Sequence, residues 1–228
     1  MDNKSFWSNK MMKMTMTKLL CAGALAVTPV LSHAIVGITD PANDFLGTFA
    51  GSTSSADLDV VSATVLYDAG SDLFKLTSTM NGAIGTTPTG LYVWGVNRGA
   101  GVANFAANGI DGVRFDRVVV LSPDGTGTVP GVGDLAPGSV TISGNTITAV
   151  VSGSLLTSNG FNKLDYTWNL WPRDGTYTGF AQIADFGPDN ASFTTTPGSV
   201  PVPEAQSYLL MLAGLGLAGW IARRRIAA

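Results

Sequence analysis

One histidine and one cysteine occur in the 228 residues, His33 and Cys21, and both lie at or before Ala34, near the N-terminus. Nucleophilic catalysis of the Ser-His-Asp or Cys-His kind needs an imidazole beside the nucleophile, and zinc sites draw on imidazole or thiolate. Downstream of Ala34 neither chemistry has its residues. What remains is oxygen and aromatic chemistry. The segments Ser122 to Thr128 and Asp185 to Asn190 carry Asp124, Asp185 and Asp189 in turn-forming surroundings. They offer the carboxylate and carbonyl oxygens that calcium takes, without following the EF-hand spacing. Pairs drawn from Asp111, Asp116, Asp124, Asp134, Asp174, Asp185 and Asp189 are the remaining means of acid–base work on a glycosidic bond. Asp in turns more often satisfies its own backbone. Trp94, Trp168 and Trp171 are the residues suited to stacking on sugar rings, although inward-facing strand positions show the same spacing.

Charge narrows the partners. Between Ile35 and Val200 six Lys and Arg stand against fourteen Asp and no Glu, a net charge of −8. Polyanionic nucleic acid is excluded as a partner on that balance. Arg98, Arg114, Arg117 and Arg173 could clamp an anionic saccharide, but in so acidic a segment they are expected to pair with neighbouring Asp.

Both ends read as addresses. Lys13 and Lys18 precede the apolar run Leu19 to Val30, which is too short to span a bilayer well. Ser32-His33-Ala34 then places small residues where signal peptidase requires them, so cleavage is expected after Ala34. At the other end, Val200-Pro-Val-Pro-Glu-Ala-Gln leads into an apolar stretch, residues 208–222, and then Arg223, Arg224 and Arg225. A helix of that length spans roughly 22 Å, short of the ~30 Å hydrocarbon core. The arginines mark the cytoplasmic side and leave the preceding chain outside the inner membrane.

This tail resembles the PEP-CTERM sorting signal: a Pro-Glu-Pro-like motif, a Gly- and Leu-rich helix and a terminal basic cluster. Here the motif is Pro203-Glu204-Ala205, with alanine at the second proline position. The resemblance covers about the last 26 residues. It implies processing by an exosortase, a membrane-embedded cysteine-dependent enzyme of Gram-negative bacteria that make exopolysaccharide. The segments Gly90 to Arg98, Asn169 to Arg173 and Ile183 to Asn190 loosely resemble β-rich domains of other PEP-CTERM proteins, which brings no activity with it.

The chain between the ends alternates β-rich runs with Gly, Pro, Asn, Asp and Ser clusters and keeps no helical period. Expected strands are 57–67 and 73–80, joined by the turn 68–72, then 91–97, 113–121, 139–142, 146–151, 166–171 and 182–186, with a short helical turn near Leu155 and Leu156. About eight strands with Gly-rich connections predict an all-β fold, an antiparallel β-sandwich or jelly roll. The expected organisation is a signal peptide at 1–34, a β domain at 35–196, a Pro-rich linker with the sorting motif at 197–207, a transmembrane helix at 208–222 and a basic cytoplasmic tail at 223–228. With no disulfide available, the domain must hold by burial and hydrogen bonding.

The functional expectation is an exported, non-enzymatic surface or biofilm-matrix protein with no required cofactor, calcium being the one candidate. Its partners are signal peptidase, an exosortase, the inner membrane as a transient anchor and exopolysaccharide. The alternatives are a secreted carbohydrate-active enzyme using paired Asp carboxylates, or a binding module anchored permanently in the membrane.

Overall fold

A computed structural model describes residues 37–201. Their strands, in chain order, are β1 (Ile38–Thr39), β2 (Val60–Asp68), β3 (Leu73–Met80), β4 (Gly90–Asn97), β5 (Arg117–Leu121), β6 (Gly127–Val129), β7 (Gly133–Asp134), β8 (Val140–Ser143), β9 (Thr146–Ser152), β10 (Thr167–Asp174), β11 (Phe193–Thr194) and β12 (Thr196–Pro197). Helical structure among the described residues is confined to single turns of three or four residues. One sheet runs β1-β2-β3-β9-β8, and β12 lies parallel to β2; the other runs β11-β10-β4-β5-β6-β7. All other pairings are antiparallel. The expected signal peptide, transmembrane helix and basic tail lie outside the described residues.

Alternation builds the first sheet. In β3 every second side chain, Phe74, Leu76, Ser78 and Met80, is buried, and the partners Val65 on β2 and Ile147, Ala149 and Val151 on β9 join them. The β2–β3 hairpin turns where the sequence places it. Asp68 Oδ1 accepts the Gly70 N–H at 2.9 Å, the local bond that favours Asp in turns. The inner face of the second sheet supplies Tyr92, Trp94 and Val96 from β4, Val119 and Leu121 from β5, and Trp168 and Leu170 from β10 to the same core. Phe74 meets Trp168 edge to face at 5.6 Å and stacks near Tyr166 at 5.8 Å, joining the two layers by aromatic contact.

The second sheet is buried on both faces, which alternation alone would not predict. Val93 and Trp171 point away from the shared core into a second cluster with Val113, Ile183 and Phe186, against which Phe105 and Phe115 pack. The segments between β4 and β5 and between β10 and β11 therefore form a cover over the outer face. Part of that cover was expected to be strand. Over 113–121 only Arg117–Leu121 is strand, while Phe115 makes an isolated bridge to Val102. Over 182–186 there is none, but Ile183 and Gly187 bridge to Arg173 and Leu170 of β10. At Leu155 and Leu156 two tight turns, not a helix, follow β9.

The expected linker is partly fixed to the domain. Thr196–Pro197 pairs with Leu66 and Tyr67, Gly198 N–H donates to the Tyr67 carbonyl at 3.1 Å, and Val200, buried, donates its N–H to Asp68 Oδ2 at 3.3 Å.

Gly95, in the middle of β4, makes room for the cover. A Cβ there would lie 2.2 Å from Trp171 Cη2. The ring occupies the space a side chain would need, and it is itself held among Phe105, Phe115 and Phe186. Gly95→Ala is expected to destabilise the fold by about 1–3 kcal/mol, the usual cost of overpacking, read as a lower urea midpoint with an unchanged slope.

Candidate metal centre

Three separate segments meet at the start of β2. After β1, Asp40 N–H donates to the Val61 carbonyl at 2.8 Å, and the chain turns through Asn43 at φ 68°, a left-handed conformation that Asn tolerates. Asn43 N–H then donates to Asp59 Oδ2 at 2.8 Å, and Leu46 N–H donates to the Ala184 carbonyl at 2.8 Å. The third segment, Ala184 to Gly187, is clamped to β10: Ala184 N–H donates to the Pro172 carbonyl, and Gly187 exchanges both backbone bonds with Leu170. Phe186 faces the outer cluster, and Asp185 turns toward β2, where Val60 N–H donates to its Oδ2 at 2.8 Å. Gly187 permits this approach, because a Cβ there would come within 2.6 Å of Val60 Cγ1.

The result is an acidic cluster. One carboxylate oxygen each from Asp40, Asp44 and Asp185 lies within 4.8 Å of the others. Asp185 is fully buried, Asp40 and Asp44 half-buried. Burial, then repulsion from Asp44, Asp189 and Asp59, pushes the Asp40 carboxyl up to about 7. Burial and the charges of Asp40 and Asp44 push Asp185 up to about 8, against the lowering effect of the Val60 and Phe186 N–H groups. Asp44 is raised as well, chiefly by burial, with Asp189 and Asp59 adding repulsion. Such an arrangement can do one of two things chemically: hold protons or hold a cation.

The structure divides the residues singled out in the sequence. Asp185 belongs to the cluster, and the exposed Asp189 contributes its charge there. Asp124 does not. Its Oδ1 accepts from Thr126 N–H at 2.9 Å and Thr126 Oγ at 2.6 Å, closing its own turn. Trp94, Trp168 and Trp171 are 0, 0 and 1% exposed and are core residues, not a sugar-stacking surface; Trp168 Nε1 donates to Thr195 Oγ1 at 2.8 Å. Of the arginines, Arg98 pairs with Asp116 at 2.9 Å in near-complete burial and also donates to the Thr157 carbonyl. Burial works to raise Asp116, but hydrogen bonds from Arg98 and Asn159 hold its carboxyl below the usual range. Ala34, Pro203, Glu204, Ala205, Arg223, Arg224 and Arg225 lie outside the described residues. Asp40 and Asp44 were absent from the sequence candidates. Their spacing across Pro-Ala-Asn is visible in the sequence, but nothing in it links them to a residue 141 positions later.

A family model described as the PEP-CTERM protein-sorting motif matches residues 201–225. The chain carries a PEP-CTERM sorting motif. The motif marks an exported protein handled by exosortase sorting, and its first residue directly follows the buried Val200. No curated protein matches this chain.

The raised carboxyls fix the sign of a pH dependence. Asp40 and Asp185 bind protons more tightly folded than unfolded, so their contribution is full below the unfolded value near 3.8 and is lost as pH rises through about 7 and 8. In metal-free buffer the melting temperature is expected to fall between pH 5.5 and 8.5, and Asp185→Asn is expected to flatten that fall.

Proposed function

We propose that this is an exported, non-enzymatic surface or extracellular-matrix protein: a β-sandwich body delivered by signal peptidase cleavage after Ala34 and released from a transient membrane anchor by an exosortase. The observation that carries this reading is the sorting motif at 201–225 directly behind a folded body that ends at Val200. The composition of that body supports it. With no His or Cys from Ile35 to Val200, arrangements that depend on an imidazole or a thiolate lack their residues. The group of three close carboxylates found among the described residues contains a fully buried Asp185, which a glycosidic bond could not reach. Cavities elsewhere among the described residues are lined by other side chains.

Association with exopolysaccharide is the finer part of the proposal and rests on the class of sorting signal. The buried tryptophans leave such contact to the polar outer surface of the first sheet, where hydroxyls such as Thr141 and Ser143 of β8 are exposed. The basic cluster at 223–225 supports placement of the body outside the inner membrane, and the class of sorting signal supports a Gram-negative host.

Mass spectrometry of the exported protein tests the sorting step. The mature species should begin near Ile35 and lack Arg223 to Arg225, and replacing the three arginines by alanine should leave an unprocessed form in the membrane fraction. An exported species that retains the arginines would instead identify a permanent anchor. Incubating the mature protein with exopolysaccharide from its own producer should co-sediment it; the same protein cleaving the polymer would establish the enzymatic alternative.

A further inference from the structure

We propose that Asp40, Asp44 and Asp185, backed by Asp59, form a binding site for one divalent cation, with calcium the preferred ion. Three acidic oxygens within 4.8 Å of one another are a starting point only, since acidic groups gather on many surfaces. The second observation is Asp59. Its side chain is fully buried, and its Oδ2 is occupied by the Asn43 N–H and Asn81 Nδ2 at 2.8 and 2.9 Å. Its Oδ1 has neither a hydrogen-bond donor nor solvent. Asp40 Oδ2 and Asp44 Oδ1 are in the same position. Asn43, whose N–H holds Asp59, directly precedes Asp44, so Asp59 lies beside the loop that carries the cluster.

Buried acceptors are nearly always satisfied, and an unsatisfied anionic one is among the costlier features a fold can carry. Other carboxylates of the same chain show the ordinary solution. Asp116 is surrounded by Arg98, Ala100 and Asn159, and Asp57 accepts both the N–H and the hydroxyl of Thr87. No Lys or Arg side chain pairs with Asp40, Asp44, Asp59 or Asp185 among the described residues. A dication supplies the missing positive charge and partners for the orphan oxygens of Asp40 and Asp44.

The donor set selects the metal. All-oxygen, carboxylate-rich ligands suit calcium, magnesium or manganese and disfavour zinc and copper. Ligands from two independently anchored segments give an irregular cage, which calcium accepts with six to eight oxygens and which the near-octahedral demand of magnesium does not. Asp185 can ligate while keeping its two backbone donors, because a carboxylate has about four lone-pair sites. A bound ion would join the loop 40–46 and the strip 184–187 through one centre, tying together segments about 145 residues apart.

The test uses the full chain in detergent, stripped with chelator and titrated with calcium chloride in a calorimeter. One calcium per chain is expected, with a Kd on the order of 10⁻⁴ to 10⁻³ M, the range of extracellular modules. Calcium should raise the melting temperature above that in excess EDTA, and magnesium should bind at least about tenfold more weakly. Asp44→Asn changes a half-buried side chain and should weaken calcium binding by about tenfold or more, while raising the metal-free melting temperature because a repelling charge is gone. Asp124→Asn should bind like the parent. Identical melting in calcium and EDTA would mean that the cluster holds protons, which overturns the proposal. So would calcium binding that Asp44→Asn and Asp185→Asn both leave unchanged, since the ion would then sit elsewhere. Magnesium binding as tight as calcium would overturn the choice of ion.

Discussion

The β4–β10 ladder, eight residue pairs long and buried on both faces, is the constraint from which the remaining structure follows. A ladder in that position must be covered twice. On one side Trp94, Trp168 and Leu170 need a second sheet, and the alternating face of β2, β3 and β9 provides it. On the other side Val93 and Trp171 need a cover that no strand supplies, so the connections after β4 and β10 carry Phe105, Phe115, Phe180 and Phe186 in place of polar loop residues. Gly-rich loops that look structureless in composition are thus an apolar layer with its own core. The described body reaches this without a disulfide, by burial and hydrogen bonding.

The acidic cluster is a consequence of that cover. Phe186 must enter the outer aromatic cluster, and in an extended strip the next side chain points the opposite way. Asp185 is thereby driven toward the start of β2, where Asp59, Asp40 and Asp44 already stand. The fold treats two of its buried charge groups differently. Arg98 and Asp116 neutralise each other and are further held by backbone donors. At the head of β2, carboxylates face carboxylates, and the backbone donors of Val60 and Phe186 meet only part of the demand.

Much of the fold was legible in the sequence because it is written in period two. The β2–β3 and β8–β9 hairpins, β4 and the body of β10 lie within a few residues of where alternation and turn residues place them. What could not be read depends on contacts distant in sequence. Ile183 and Phe186 have strand-like neighbours yet only bridge to β10, because the cover needs their side chains more than it needs another ladder. The aromatic spacing of Trp94 and Trp168 is the same for a sugar platform and for a core, and only the presence of an opposing sheet decides. At the candidate site Asp185 was visible as part of an oxygen-rich turn. Asp40 and Asp44 were not, because their role comes from a partner at the far end of the domain.

Both ends of the described body lie along one strand. β1 pairs with Ser62 and Ala63 of β2, and β12 with Leu66 and Tyr67 a few residues further along. For a chain that leaves a membrane pore with its N-terminus first, β2 emerges early and keeps part of its edge open until Thr196 to Val200 arrive. Those closing residues come immediately before the segment that begins at Pro201. The residues that close the edge of β2 and those of the sorting motif are therefore consecutive, so that sheet and motif adjoin on one short stretch of chain.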